Sequence, residues 1–308
     1  GEIDNQYMIP SQYLKTMVEL YEKQKDYAKV IEYADIVLKS TDYIEEKLIF
    51  EIRYFLCMAL AKRRNRRMLS EVQNISGADH SFLLGFYYRM VGSYDKALEE
   101  LNKSLVIRKN FSKAKREKVQ VLINLERYEE ALDVAKENYE NDKANPYHAH
   151  AYFLCLIKGD EFESNESVIT EVVDNLGKAT SDLGKELYIR CRALKEAYLD
   201  KNIDMALALI ENAFKESNNP IYSLQDKFDI CEHLKAYGEM DKVIREVENL
   251  KMQDTYGKER ALYRMKALYA AYVNNEKEVA KIMKQIEEKG IKINLAILKK
   301  KIDNIFKN

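Results

Sequence analysis

The sequence predicts an all-α chain of stacked helical hairpins, an α-solenoid, and three observations carry that prediction. Glycine and proline are scarce, 10 and 3 in 308 residues, where strands joined by tight turns would need many more. A short phrase recurs: GSYDKALEELNKSL begins at Gly92 and ERYEEALDVAKENY at Glu126, so Tyr94 and Tyr128, Ala97 and Ala131, and Leu98 and Leu132 stand thirty-four residues apart. A fixed period of that size marks a repeat architecture. Between the copies, apolar residues recur at three and four, as in Leu98, Leu101, Leu105 and in Val279, Ile282, Met283, Ile286, the period of an amphipathic helix. Neither helix of such a pair buries its apolar stripe alone, and stacking on the next pair does so.

Tyr94 serves as an anchor for reading the units. One period further on lie Tyr128 and then Phe162, each after a short polar turn and before a helical pattern. Upstream, Tyr27 in KQKDY has the same setting; downstream, Ile203 in DKNI, Met240 in YGEM and Glu276 in VNNE take the slot. The resulting hairpins cover 9–39, with Pro10 and Ser11 opening the first, then 44–75, 79–108, 112–141, 146–177, 182–217, 221–252 and 257–289. A last helix, IKINLAILKKKIDNIFK, covers 291–307. Its apolar face (Ile291, Leu295, Leu298, Ile302, Ile305) is expected to cap the open end of the array, with pairing to a second copy of the chain as the alternative.

One stretch brings a specific resemblance. Leu84-Gly85-x-x-Tyr88 followed by Ala97-x-x-x-Leu101 resembles the tetratricopeptide repeat, which has Leu-Gly-x-x-Tyr in its first helix and Ala-x-x-x-Phe in its second. The family's Trp is absent, with Ser81 in its place, and the Pro expected near each unit's end is mostly missing. The match is best over 79–145 and degenerate over 9–75, 146–177 and 182–289. The resemblance implies a single solenoid over 1–308: a right-handed superhelix of about eight such hairpins with a C-terminal capping helix.

Composition narrows the function. Hydrophobic residues make up 46% and charged residues 33%, with a net charge near −1, so no global field draws in nucleic acid or an anionic membrane. The four cysteines (Cys57, Cys155, Cys191, Cys231) are widely spaced and read as reduced, buried small residues. No signal peptide opens the chain and no apolar run reaches membrane-spanning length, so the expected location is cytoplasmic. A start at Gly1 suggests a segment cut from a longer protein.

No phosphate-cradling glycine loop, nucleophile elbow or metal-binding HExxH is present. His148 and His150, two apart on a helix, point to different faces and do not make an i,i+4 metal pair. Asp160, Glu161, Glu163 and Glu166 lack the order of a calcium loop and suit a helix N-terminus instead. The expectation is a non-enzymatic chain without cofactor or metal.

The tetratricopeptide resemblance also implies where partners sit: on the first helix of each hairpin, at positions 2, 5, 9, 12 and 13 when the anchor is position 17. That numbering selects Phe82, Phe86 and Arg89, then Lys113, Arg116, Gln120 and Asn124. It next selects Tyr147, His150 and Lys158, then Tyr188, Lys195 and Tyr198 with Arg192 one place off, and finally Lys235, Arg264 and Tyr272. Arg116, Gln120 and Asn124 follow i, i+4, i+8 along one face, a row able to bond a peptide backbone or carboxylate. Arg89, Lys113, Arg116, Arg192, Lys195 and Arg264 would make this wall basic. A second candidate is the run Lys62, Arg63, Arg64, Arg66, Arg67, which could grip phosphates. The leading expectation is a protein-interaction scaffold for a peptide or protein partner, an acidic one included. The alternatives are the ligand-sensing arm of a larger signalling or antiviral defence protein and, less strongly, a nucleic-acid-binding array.

Overall fold

The structure, a computed structural model, describes residues 11–39, 45–159, 162–217, 219–252 and 255–307. The expected opening of the first hairpin at Pro10, and Asp160 and Glu161 of the acidic cluster, lie outside the described residues. Among those described there are seventeen helices and no strand. They run α1 (Ser11–Lys23), α2 (Tyr27–Leu38), α3 (Glu46–Lys62), α4 (Met68–Glu71), α5 (Gly77–Met90), α6 (Tyr94–Ile107), α7 (Ser112–Asn124), α8 (Tyr128–Asn141) and α9 (Pro146–Lys158). There follow α10 (Glu166–Leu176), α11 (Asp182–Tyr198), α12 (Ile203–Glu216), α13 (Ile221–His233), α14 (Tyr237–Asn249), α15 (Thr255–Tyr272), α16 (Glu276–Glu288) and α17 (Leu295–Lys307). The described residues form an all-α array of helical hairpins. Contacts divide it between Val121 and Leu122 into two compact units.

The turns inside the hairpins share one construction. A single residue enters the left-handed region: Lys25, Arg64, Gly92, Glu126, Lys201, Lys235 or Asn274, with φ between 52° and 76°. The next N–H then reaches back to the first helix, as Ser93 to the Tyr88 carbonyl at 2.8 Å, Arg127 to Leu122 at 2.9 Å and Ala236 to Cys231 at 2.8 Å. This is the Schellman closure, which satisfies a carbonyl that the helix end leaves open. Glycine takes that conformation at least cost, yet only Gly92 does so in these seven turns. Two residues after the left-handed position the second helix opens, at Tyr27, Tyr94, Tyr128, Ile203, Tyr237 and Glu276.

Two anchors differ from the sequence reading. The frame of the seventh hairpin is set by Lys235, so Tyr237 fills the slot assigned to Met240. Phe162 precedes a single 3-10 turn, Glu163–Asn165, and the helix proper starts four residues later at Glu166. The second hairpin is also unusual: its second helix is the one-turn α4, continued by a 3-10 turn at Val72–Asn74.

In unit 1, α1 packs on α2 and α3, α2 on α3, α3 on α5, and α5 on α6. Ile52, Leu56, Leu60, Phe82, Leu83 and Leu101 form its fully buried interior. A Cβ at Gly85 would lie 2.6 Å from Leu101 Cγ, so only glycine lets α5 and α6 close.

In unit 2 the first helices follow one another, α9 on α11, α11 on α13, α13 on α15, and α15 on α17. Helix α10 packs between α9 and α11, α12 between α11 and α13, and α14 between α13 and α15. Leu298 and Ile302 of α17 are buried in the same core as Leu268 and Ile282. This part of the apolar face of α17 is covered by its own chain, while Phe306 is exposed.

Candidate functional site

The unit 1 wall is built by α3, α5 and the start of α7. Rings form a ladder along it: Phe50 to Tyr54 with centroids 6.4 Å apart, Tyr54 to Phe82 at 6.3 Å, and Phe82 to Phe86 at 6.3 Å. These rings stand at helical spacing on α3 and α5, so one face of each helix supplies them. Cations lie over their faces. Lys62 Nζ is 5.1 Å and the Arg89 guanidinium 5.3 Å from the Phe86 centroid, and Lys113 Nζ is 4.7 Å from that of Tyr54, within the range of cation–π attraction. Lys113 also donates to the Tyr54 hydroxyl at 3.2 Å.

One carboxylate serves this group. Arg89 Nε donates to Glu117 Oε2 at 2.6 Å, and Arg116 Nε lies 3.9 Å from the other oxygen. Among the described residues Lys62 makes no ion pair. Burial lowers its ammonium pKa, and Arg89 and Arg116 push in the same direction against Glu117 and Glu22. The wall therefore carries more positive charge than its own carboxylate balances.

The unit 2 wall is different in kind. Helix α13 is buried along most of its length and brings Asp226 and Asp229 inside. Asp226 accepts from Arg190 of α11 at 2.7 Å. Asp229 accepts from Lys158 of α9 and, at 3.5 Å, from Arg264 of α15. Arg264 also reaches Glu126, in the turn before α8, at 3.3 Å. Glu232 accepts from Lys301 of α17 at 2.9 Å and from the Tyr272 hydroxyl at 3.1 Å. Burial alone would raise the Asp229 pKa; the charges of Lys158, Arg264 and Lys301 overcome it and hold the carboxyl at about 2. Beside the network Tyr198 and His233 stack at 3.8 Å, with Phe162 edge-on to both. On the opposite side of α13, Lys227 is caught between Glu211 of α12 and Glu246 of α14.

The residues selected from sequence fall as follows. Phe86 is buried, at 2% exposure, and offers its ring to Lys62 and Arg89 rather than to solvent. Arg89, Lys113 and Arg116 stand together on the unit 1 wall. Further along α7, Gln120 is half-buried and Asn124 exposed. In unit 2, Tyr147 is exposed and His150 half-buried; burial, then Arg190 and Lys158, depresses the His150 pKa. Arg192 lies 4.0 Å from Glu196, and Lys195 pairs with Asp200 at 3.0 Å. Arg264 joins the network around Asp229.

The basic run divides. Lys62, the last residue of α3, belongs to the aromatic wall. Arg64 is the left-handed turn residue and donates to the Met90 carbonyl at 3.1 Å. Arg67 pairs with Asp35 and Glu71, while Arg63 and Arg66 are exposed. A reversal of chain direction at Arg64 sends neighbours in sequence to different surfaces.

Sequence reasoning missed Asp226, Asp229, Glu232 and His233. The signal was a frame error: with Tyr237 instead of Met240 as anchor, positions 9, 12 and 13 of the seventh hairpin become Asp229, Glu232 and His233, and Lys235 becomes the turn residue. The four cysteines are free and buried. No group of three His, Cys, Asp or Glu side chains among the described residues is placed to hold a metal, and no helix among them is long and apolar enough to cross a membrane.

No protein-family model matches this sequence, and no curated protein is detectably similar. Among solved structures, a tetratricopeptide repeat protein from Parabacteroides merdae aligns over 97% of this chain and 99% of its own, at 12% identity and a TM-score of 0.47. YrrB, described as a tetratricopeptide protein with an unusual peptide-binding site, aligns over 70% of this chain and 98% of its own, at 17% identity and a TM-score of 0.37. A chain of the Naa15/Naa10 complex bound to HypK-THB aligns over 96% of this chain and 51% of its own, at 14% identity and a TM-score of 0.37. The residue pattern at Leu84–Tyr88 and Ala97–Leu101 is similar to the tetratricopeptide repeat.

Proposed function

We propose that the protein is a non-catalytic interaction scaffold whose unit 1 wall binds an acidic peptide segment of a protein partner. The observation that carries this reading is the imbalance at Lys62, Arg89 and Arg116. Arg89 and Arg116 share the carboxylate of Glu117, and Lys62, which makes no ion pair among the described residues, lies with Arg89 over the Phe86 ring. A half-buried ammonium with no counter-ion is unfavourable in the free protein; an incoming carboxylate removes that cost and gains charge-assisted hydrogen bonds. The exposed Phe50 ring, beside Tyr54, offers apolar contact for side chains flanking the acid.

The test is binding of a blocked octaglutamate peptide, with octaglutamine as control, to the full chain and to Arg116→Glu and Lys62→Met. Octaglutamate should bind, weaken by about tenfold or more in either variant, consistent with loss of one charge-assisted contact, and weaken further as salt rises. Equal binding of both peptides, or wild-type affinity in both variants, would exclude the unit 1 wall as the site. A salt-sensitive preference for an oligonucleotide over octaglutamate would instead favour a nucleic-acid partner.

A further inference from the structure

We propose that the outward face of α6 pairs with the same face of a second copy of this chain, antiparallel and about a two-fold axis. Val106 and Ile107 end α6 and are 86% and 60% exposed, more than any other large apolar side chain among the described residues. Other second helices do not end this way. Helices α8, α12, α14 and α16 close on Glu140 and Asn141, Lys215 and Glu216, Glu248 and Asn249, and Glu287 and Glu288. The apolar residues near the ends of α2 and α10, Val37 and Leu176, are buried. Val and Ile are also poorer helix formers than Glu or Lys, so neither packing within the chain nor helix propensity accounts for the pair.

The preceding hairpin leaves room beside them. Its helix α4 has 4 residues, where the other second helices have 11 to 14. A groove of about 580 Å³ runs along α6, lined by Ser81 of α5 and by Glu99, Asn102, Lys103, Val106 and Ile107. Its walls are firm: the Ser104 hydroxyl donates to the Ala78 carbonyl and Arg108 to Asp79, each at 2.7 Å, tying the end of α6 to α5. Self-complementarity names the occupant. Glu99, Asn102, Lys103 and Val106 follow i, i+3, i+4, i+7 and share one helix face. That face carries a projecting knob, Val106, beside a hollow, and an acid and a base one turn apart. An isologous pair sets each feature against its complement. With Asn102 of one copy opposite Lys103 of the other, each Val106 enters the opposing groove near Glu99, and each Glu99 lies one turn from the opposing Lys103. Within the chain Glu99 and Lys103 already pair at 2.7 Å, so the face is neutral and shape rather than net charge recognises it. One helix face covers less than a standard interface, so the dimer is weak and concentration-dependent.

Sedimentation velocity of the full chain, from micromolar to near-millimolar concentration, tests the pairing. The wild-type chain should pass reversibly from monomer to dimer across that range, with little change between low and high salt. Val106→Asp combined with Ile107→Asp should raise the dissociation constant by about tenfold or more. The double variant should keep the wild-type melting temperature, measured where the chain is monomeric, since both side chains are exposed there. Arg116→Glu, which alters the unit 1 wall, should dimerise as wild type does, so the two readings fail independently. A wild-type chain that stays monomeric throughout would overturn the pairing and leave the groove to a helix of another protein. A dimer that persists unchanged in the double variant would overturn it as well, by placing the contact on another surface.

Discussion

On the unit 1 wall Arg89 and Arg116 share Glu117 while Lys62 has no ion pair among the described residues, whereas on the unit 2 wall Lys158, Arg190, Arg264 and Lys301 meet Asp226, Asp229, Glu126 and Glu232. Both walls are made from first helices of the same repeat, and both take cations at neighbouring positions. What separates them is α13, which brings two buried acidic residues, Asp226 and Asp229, where α7 brings the single Glu117. Where a hairpin supplies carboxylates, cations become internal ties. Where it supplies rings, the cations remain available. The same scaffold therefore yields a cross-linked wall in one unit and a receptive one in the other.

The largest expected effect comes from breaking the cross-linked wall. Asp229→Ala leaves Lys158 and Arg264 without their shared carboxylate, and stability in a urea melt should fall by about 3–5 kcal/mol. The same group sets a pH dependence. Its folded pKa, about 2, lies below the roughly 3.9 of an unfolded chain, so its stabilisation is complete above about pH 4 and is lost as the pH falls toward about 2. Acid melts of wild type and Asp229→Asn should converge over that interval; parallel curves would contradict it.

A matched pair of substitutions sharpens the contrast further. Lys227→Met removes the cation that joins Glu211 and Glu246, both about two-fifths exposed, and should cost about 1 kcal/mol because solvent already screens the acids. Lys62→Met on the unit 1 wall removes a cation with no such partner. Its stability should be unchanged or higher by up to about 1 kcal/mol, with acidic-peptide binding weakened by about tenfold or more. Equal destabilisation by the two would erase the distinction between the walls.

The smallest effect is a control in which the units should agree. Lys25→Gly in unit 1 and Lys201→Gly in unit 2 relieve left-handed turn residues at φ 59° and 52°. Each should raise stability by about 0.5–1 kcal/mol. A gain in one unit and a loss in the other would show that the two turns are not equivalent.

The fold was legible because its cause is local. The aromatic that opens the second helix, the small residue at Gly85 and Ala97, and the apolar stripe recur within one unit, so a single chain displays them repeatedly. The candidate site was legible only in part. Arg89, Lys113 and Arg116, selected by the frame at Tyr94 and Tyr128, stand together on one wall because that frame matches the turns at Gly92 and Glu126. The frame at the seventh hairpin was lost because Tyr237 and Met240 are three residues apart on one helix face. Both face the core, Met240 fully buried and Tyr237 stacked on Tyr272 at 5.2 Å, and periodicity does not distinguish them. The left-handed backbone at Lys235 does, but no glycine advertises it. Lys62 was assigned to the wrong group for a related reason: the Schellman turn that follows it separates it in space from the arginines beside it in sequence.

The sequence by itself determined that the chain folds into helical hairpins, since helix period and turn chemistry act over a few residues and leave a repeating trace. Only the tertiary structure decided which charges meet. Arg190 and Asp226 are 36 residues apart, Lys158 and Asp229 are 71 apart, and Arg264 and Glu126 are 138 apart. Such pairings depend on how the first helices stack. Electrostatic balance on each wall is therefore a property of the packed array, and no window of the chain contains it.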